Sequence, residues 1–212
     1  MAYPTIDKTY GFKPLNRLDG LPYAGAIRQI PVAAAYATAI LNGDTVQVDT
    51  NGYIVAASTT NSGNIIGVLV GCSYVNSSGQ PVQGQYYPAA QSTSTALAFA
   101  YVVDDPSAIF KVCATVAAGT TPTAYSRAIV GSNVALVAGA GSTTTGDSAY
   151  GIDGSSANTT NTLPVRVVDV VPDTATGNAS VAATTYYEFL VKFNTAQYNS
   201  CLLYTSPSPR DS

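Results

Sequence analysis

Two cysteines, Cys72 and Cys113, and one acidic pair, Asp104-Asp105, come nearest by type to covalent or acid–base chemistry. A cysteine nucleophile needs a neighbouring base or a depressed pKa to become the thiolate. The chain has no His, and neither cysteine has a CxxC partner. Both are read as small buried apolar side chains. A disulfide between them is the alternative, because their spacing does not decide it. Asp104-Asp105-Pro106 is read as a turn: adjacent carboxylates on an extended chain point to opposite sides, whereas acid–base partners face one another from different elements. Gly139–Gly146 has the small residues of a phosphate loop. It lacks the lysine and the following helix that such a loop uses, and is read as a flexible loop. Asp147 and Asp153 fall short of the oxygen ligands, at set spacing, that a calcium loop requires.

These absences narrow the function classes. Without His there is no His-based triad, no facial-triad metal site and no common zinc set. The expectation is a protein that is not an enzyme and carries no cofactor or metal. Lys and Arg number 9 against 12 Asp and Glu in 212 residues. That is too few for a strong phosphate-binding face, so no direct nucleic-acid partner is expected. The longest apolar run, Val32–Leu41, is far short of a membrane helix, and no membrane partner is expected. No signal peptide is visible at the N-terminus. Only 10% of residues are charged, yet 46% are hydrophobic, so the low charge does not imply disorder. Fifteen tyrosines and no tryptophan suit either an interface or plain strand packing.

The elements that must position these residues are short β-favouring runs broken by Gly, Asn, Asp, Ser and Thr. Strands are expected over Ile30–Tyr36, Asp44–Asp49, Ile54–Ala57, Ile65–Cys72, Ala96–Val103, Ile109–Val116, Arg127–Val130, Val134–Ala138, Pro164–Val171 and Tyr186–Phe193. Asn42-Gly43-Asp44 and Thr50-Asn51-Gly52 are turn signals. Ala57–Gly63, Gly139–Ser148, Asp153–Thr162 and Thr174–Thr185 are read as long surface loops. Val32–Leu41 has the best helix propensity, but its first half is assigned to a strand. The expected fold is all-β: a compact sandwich or barrel-like domain over residues 30–200, with long Ser/Thr/Gly loops.

Residues 1–29 are expected to form an extended N-terminal arm. Pro4, Pro14 and Pro22 interrupt any regular period. Residues 1–30 carry a net +2, against −5 for residues 31–200. An arm that reaches onto a partner and a strap over its own domain fit this equally. On the first reading Tyr10, Lys13, Arg17, Tyr23 and Arg28 are the binding residues, and deleting residues 1–28 would leave the β body folded. The last twelve residues, 201–212, read as a translated sequencing-library adapter. They are expected to be non-native, which sets aside Cys201 and leaves the natural C-terminus unknown.

Ten segments stand out in order along most of the chain: Tyr10–Asn16, Gly25–Pro31, Asn42–Val46, Gly67–Gly71, Gln85–Pro88, Val103–Pro106, Phe110–Val112, Ser142–Gly146, Pro164–Asp169 and Phe189–Lys192. In these the chain resembles a family of virion structural proteins of marine tailed bacteriophages, of the head decoration or cement type. The adapter-like tail fits a phage known from environmental DNA. The resemblance implies a non-enzymatic protein on the capsid surface, with the major capsid protein as partner. It also implies a homo-oligomer, trimers being common among decoration proteins. A tail- or fibre-associated protein that binds a host-surface glycan is the alternative, motivated by the tyrosines and the long polar loops.

Overall fold

The computed structural model describes residues 8–58, 64–91, 98–117, 119–160, 162–171 and 188–194. Among them are twelve strands: β1 (Lys13–Arg17), β2 (Arg28–Val32), β3 (Thr45–Val48), β4 (Ile54–Ala56), β5 (Ile65–Val75), β6 (Pro81–Gly84), β7 (Ala98–Val103), β8 (Ala108–Thr115), β9 (Asn133–Val137), β10 (Gly151–Asn158), β11 (Val165–Val170) and β12 (Glu188–Phe193). The protein is all-β. One sheet runs β1-β8-β10-β9-β11-β12, and pairing of β12 back to β8 closes five of its strands into a barrel. The second runs β3-β4-β2-β7-β5-β6 and curls until β3 pairs with β5. Closure and curling leave few free strand edges.

Two strands organise this topology. β8 meets β1 over its first half, β12 in the middle and β10 in parallel at its end. β5 likewise meets β3, β7 and β6 in succession. Strands enclosed in this way read as continuous apolar runs rather than alternating ones. In β8 only Lys111 escapes full burial. Elsewhere the two-residue period holds, with interpretable breaks. In β11, Val165 and Val167 face inward, then a bulge between Val167 and Asp169 resets the phase so that Val170 faces inward.

Among the described residues there are two cores. The barrel core gathers Phe12, Phe110, Phe189 and Phe193 with the valines of β8, β9, β11 and β12. Phe12, Phe110 and Phe193 lie 5.1–6.5 Å apart, centroid to centroid, with rings tilted or edge-on. The second core lies in the curled sheet around Ile40, Ile54, Leu69, Cys72 and Tyr87. β5 serves both: Ile65 and Val68 enter the barrel core, while Ile66, Leu69 and Cys72 enter the other. Cys72 and Cys113 are free and buried, so the disulfide alternative falls away.

Several expected elements differ. Arg127–Val130 is not a strand: Arg127–Ile129 is a 3-10 turn, with Ser126 as N-cap accepting from the Ala128 N–H. The loop expected at Asp153–Thr162 is strand β10 as far as Asn158. Its glycine and serines hid it. Gly154 leaves room for the Tyr125 ring, which any Cβ would strike, and Ser156 Oγ accepts from the Ala135 N–H. The expected strand Ile30–Tyr36 begins at Arg28 and stops at Val32, where Ala33–Tyr36 turns. Residues 1–29 are not an arm separate from the body over their described part. β1 is the sixth strand of the first sheet, and Phe12 is fully buried. A strand signal was weak there because Pro14 and a bulge between Pro14 and Asn16 interrupt the period. The loop expected at 174–185, most of that at 57–63 and the adapter-like tail 201–212 lie outside the described residues.

Candidate functional site

The N-terminal segment meets both sheets at a polar junction built on the Asn42-Gly43-Asp44 turn. Gly43 has φ of +98°, a left-handed conformation that side chains resist. This turn places the Gly43 carbonyl to accept from Phe12 N–H at 2.9 Å, while Gly43 N–H donates to Leu69 O at 2.9 Å. Asn42 N–H donates to Gly146 O, and Ser148 N–H donates to Asn42 O. Gly11 N–H donates to Tyr150 O, and a Cβ on Gly11 would overlap Ser148 and the Gly43 carbonyl. Three distant stretches of chain are thereby fixed at backbone contact.

Three side chains converge on this frame. Lys13 Nζ donates to Asn42 Oδ1 at 2.6 Å, and Asn42 Nδ2 donates to Val70 O at 3.0 Å. Asp44 is 3% exposed; its Oδ2 accepts from Leu41 N–H at 2.7 Å, and no donor reaches Oδ1 in hydrogen-bonding geometry. Burial pushes the Asp44 carboxyl up to about 6, against the pull of Ser148, the Leu41 N–H and Lys13. Burial draws Lys13 below its ordinary value, and the charges of Asp147 and Asp44 partly restore it. Beside the junction opens a cleft of about 480 Å³, lined by Lys8, Thr9, Tyr10, Ser142, Thr145, Asp147 and Ser148.

A second cluster lies across Tyr10. Its hydroxyl donates to Glu188 Oε1 at 2.6 Å. Lys111 Nζ stands 3.1 Å from the same oxygen and 5.5 Å from the centre of the Tyr10 ring. Glu188 is the only glutamate in the chain. Burial raises the Tyr10 hydroxyl far above its ordinary range, and neighbouring Cys113 and Glu188 add to this. Burial likewise pushes the Cys113 thiol up to about 12, and that of Cys72 up to about 11. Neutral buried thiols of this kind are poor nucleophiles. Among the described residues no three metal-ligating side chains are grouped.

The other predicted binding residues go elsewhere. Arg28 pairs with Asp104 at 2.8 Å, and Arg17 stands 3.5 Å from both Asp105 and Asp19. Asp105 Oδ1 also accepts from Ser107 N–H, closing the turn between β7 and β8. The acidic pair is therefore a turn held by two arginines of the N-terminal segment. Tyr23 packs partly against the barrel core and donates its hydroxyl to Ala26 O at 2.7 Å. Lys13 thus sits at the junction, Tyr10 in the Glu188–Lys111 cluster, Arg17 and Arg28 at the β7–β8 turn, and Tyr23 stands apart. The same segment also leaves four large aliphatic side chains outward, Leu15, Leu18, Leu21 and Ile27, each 49–57% exposed.

Sequence reasoning missed Asn42, Asp44, Lys111, Ser148 and Glu188. Asn42 and Asp44 were visible only as turn formers, and Lys111 and Glu188 as solitary charges within apolar strands. Such solitary charges are the available signal, since a charge in an enclosed strand needs a partner. No family model, curated protein or solved structure matches the chain.

Proposed function

We propose that this chain is a structural protein of a tailed-bacteriophage virion, a decoration protein that binds the outer capsid lattice and stabilises the head. The resemblance in the ten ordered segments motivates the reading. The observation that carries it is the aliphatic strip of Leu15, Leu18, Leu21 and Ile27, four half-exposed side chains within thirteen residues. Exposed aliphatic side chains concentrated in one short segment support a contact surface there. The arginines beside them are engaged by Asp104 and Asp105, so the strip rather than a free basic arm is the binding element. Its partner is the major capsid protein, and its place is the virion surface. Repeated copies, as a homo-oligomer, supply avidity that a small patch lacks alone. No catalytic step is assigned to it.

Quantitative mass spectrometry of purified particles of the phage that carries this gene tests the reading. Hundreds of copies per particle, with matching density on the head, are expected. A few copies confined to the tail would overturn it. The second reading, a tail-associated protein that binds a host glycan, is favoured by the cleft that has Tyr10 at its wall and hydroxyl-bearing residues around it. Saturable binding on a glycan array, lost when Asp147 is replaced by Ala, would move the choice to it.

A further inference from the structure

We propose that Lys13 and Asn42 join in an intramolecular amide bond, a covalent staple between β1 of the first sheet and the turn that opens β3 of the second. The inference is independent of the virion reading.

The reactants are already in place. Lys13 Nζ is 2.6 Å from the Asn42 carboxamide oxygen, and the carboxamide is oriented by the bond from its nitrogen to Val70 O. Both residues stand on fixed backbone: Lys13 lies in register with Lys111 of β8, and Asn42 is bonded through its N–H and C=O to Gly146 and Ser148. Holding amine and amide together in this manner replaces a bimolecular encounter with a local one. Rotation of the last lysine torsions carries Nζ from the oxygen to the face of Cγ.

The proton transfers are assigned to Asp44, which makes no direct ion pair with Lys13, so a turn of the lysine or one bridging water must relay them. Asp44 lies two residues beyond Asn42 and is 3% exposed, and among the described residues its Oδ1 has no donor in strict hydrogen-bonding geometry, the Ser148 hydroxyl being the polar group that acts on the carboxyl beside the Leu41 N–H. Buried polar atoms left unpaired are few in folded proteins, and each calls for a reason. Here the incompletely paired oxygen is the seat for a proton. Lys13 and Asp44 feel one another's charge, and Asp147, Ser148 and Tyr150 complete the polar surroundings. A carboxyl that titrates near neutrality exchanges protons readily in both directions.

The step balances without an oxidant or cofactor. The Lys13 ammonium gives one proton to the Asp44 carboxylate. The resulting amine attacks Asn42 Cγ, forming the Nζ–Cγ bond. A second Nζ proton passes to Nδ2, the Cγ–Nδ2 bond breaks and ammonia leaves. Ammonia then takes the proton held on Asp44 and departs as ammonium. The chain loses one ammonia, about 17 Da, and one positive charge.

One competing reaction gives the same mass: attack of the Gly43 backbone nitrogen on Cγ, closing a succinimide. That nitrogen is engaged by Leu69 O at 2.9 Å, which holds it from the carbon. Trypsin distinguishes the two, because it separates residues 9–17 from 29–111 and the Lys13–Pro14 bond resists it. Intact-mass and peptide analysis of the full chain is expected to show the 17 Da loss with the two peptides joined. Lys13→Arg is expected to keep its full mass and yield separate peptides. Asp44→Asn is expected to slow joining at least tenfold after refolding from urea. Should Asp44→Asn not fold, Asp44→Glu, which keeps the acid but displaces it, is read in its place and is expected to slow joining. A full-mass wild-type chain, or a 17 Da loss with the peptides separate, would overturn the proposal. Unchanged rates in the Asp44 variants would overturn the role given to that carboxyl.

Discussion

Asp44 combines deep burial with hydrogen bonding too sparse to offset it, and this has a measurable pH consequence. Its pKa rises from the ordinary 3.8 to about 6 on folding. The folded chain therefore binds this proton more tightly than the unfolded chain does. The contribution is present in full below about pH 4 and is lost as pH rises through 6. A shift of this size corresponds to about 3 kcal/mol. Urea melts between pH 4 and 7 are expected to show this loss, and Asp44→Asn is expected to flatten it. A staple that removes the Lys13 charge would push the carboxyl further in the same direction. Tyr10 makes a second residue-scale test. Its hydroxyl is spent on the buried Glu188, and a hydrogen bond to a charged group is worth about 1.5–3 kcal/mol. Tyr10→Phe is expected to destabilise the fold by that amount in chemical denaturation, with the far-ultraviolet circular dichroism spectrum unchanged.

At the scale of elements, β1 and the residue before it belong to the barrel. Phe12 is fully buried between Phe110 and Phe193. Phe12→Ala is expected to cost about 3–5 kcal/mol, the usual range for a core aromatic, measured by thermal or urea melts. Deleting residues 1–28 would remove Phe12 and β1 together, so the shortened chain is expected to unfold rather than leave an intact body. This element shows where sequence reasoning stops. Runs such as Ile65–Cys72 and Pro164–Val171 announce themselves by β-branched residues, and Asn42-Gly43-Asp44 announces a turn. β1 and β10 do not: each is a strand because of what it packs against. Lys-Pro-Leu-Asn-Arg is held by β8, and Gly-Ile-Asp-Gly-Ser-Ser-Ala-Asn by Tyr125, β8 and β9. Tertiary context overrides local propensity in both. The candidate site was half legible for the same reason. Tyr10 and Lys13 stood out by type, but Asn42, Asp44 and Glu188 come to them only through long-range pairing.

At the scale of the whole molecule, the aliphatic strip is separable from the fold. Leu18 and Leu21 are about half exposed, and surface substitutions away from packed features usually shift stability by less than about 0.5 kcal/mol. The double variant Leu18→Asp, Leu21→Asp is expected to melt near the wild-type temperature while losing most of its attachment to particles, read by co-sedimentation. Equal loss in both readouts would place those leucines in the fold instead.

The strand shared by the two cores carries a last consequence. Because β5 lends side chains to both the barrel core and the core of the curled sheet, the two cores share one strand. Damage on one side must be felt on the other. Val46→Ala, deep in the curled sheet, is expected to lower amide-exchange protection in β11 and β12 of the barrel as much as in β3. Calorimetry of the wild type is expected to give one transition with matching calorimetric and van't Hoff enthalpies. Two barrels built as neighbours would melt as neighbours; a common partition makes them fail together.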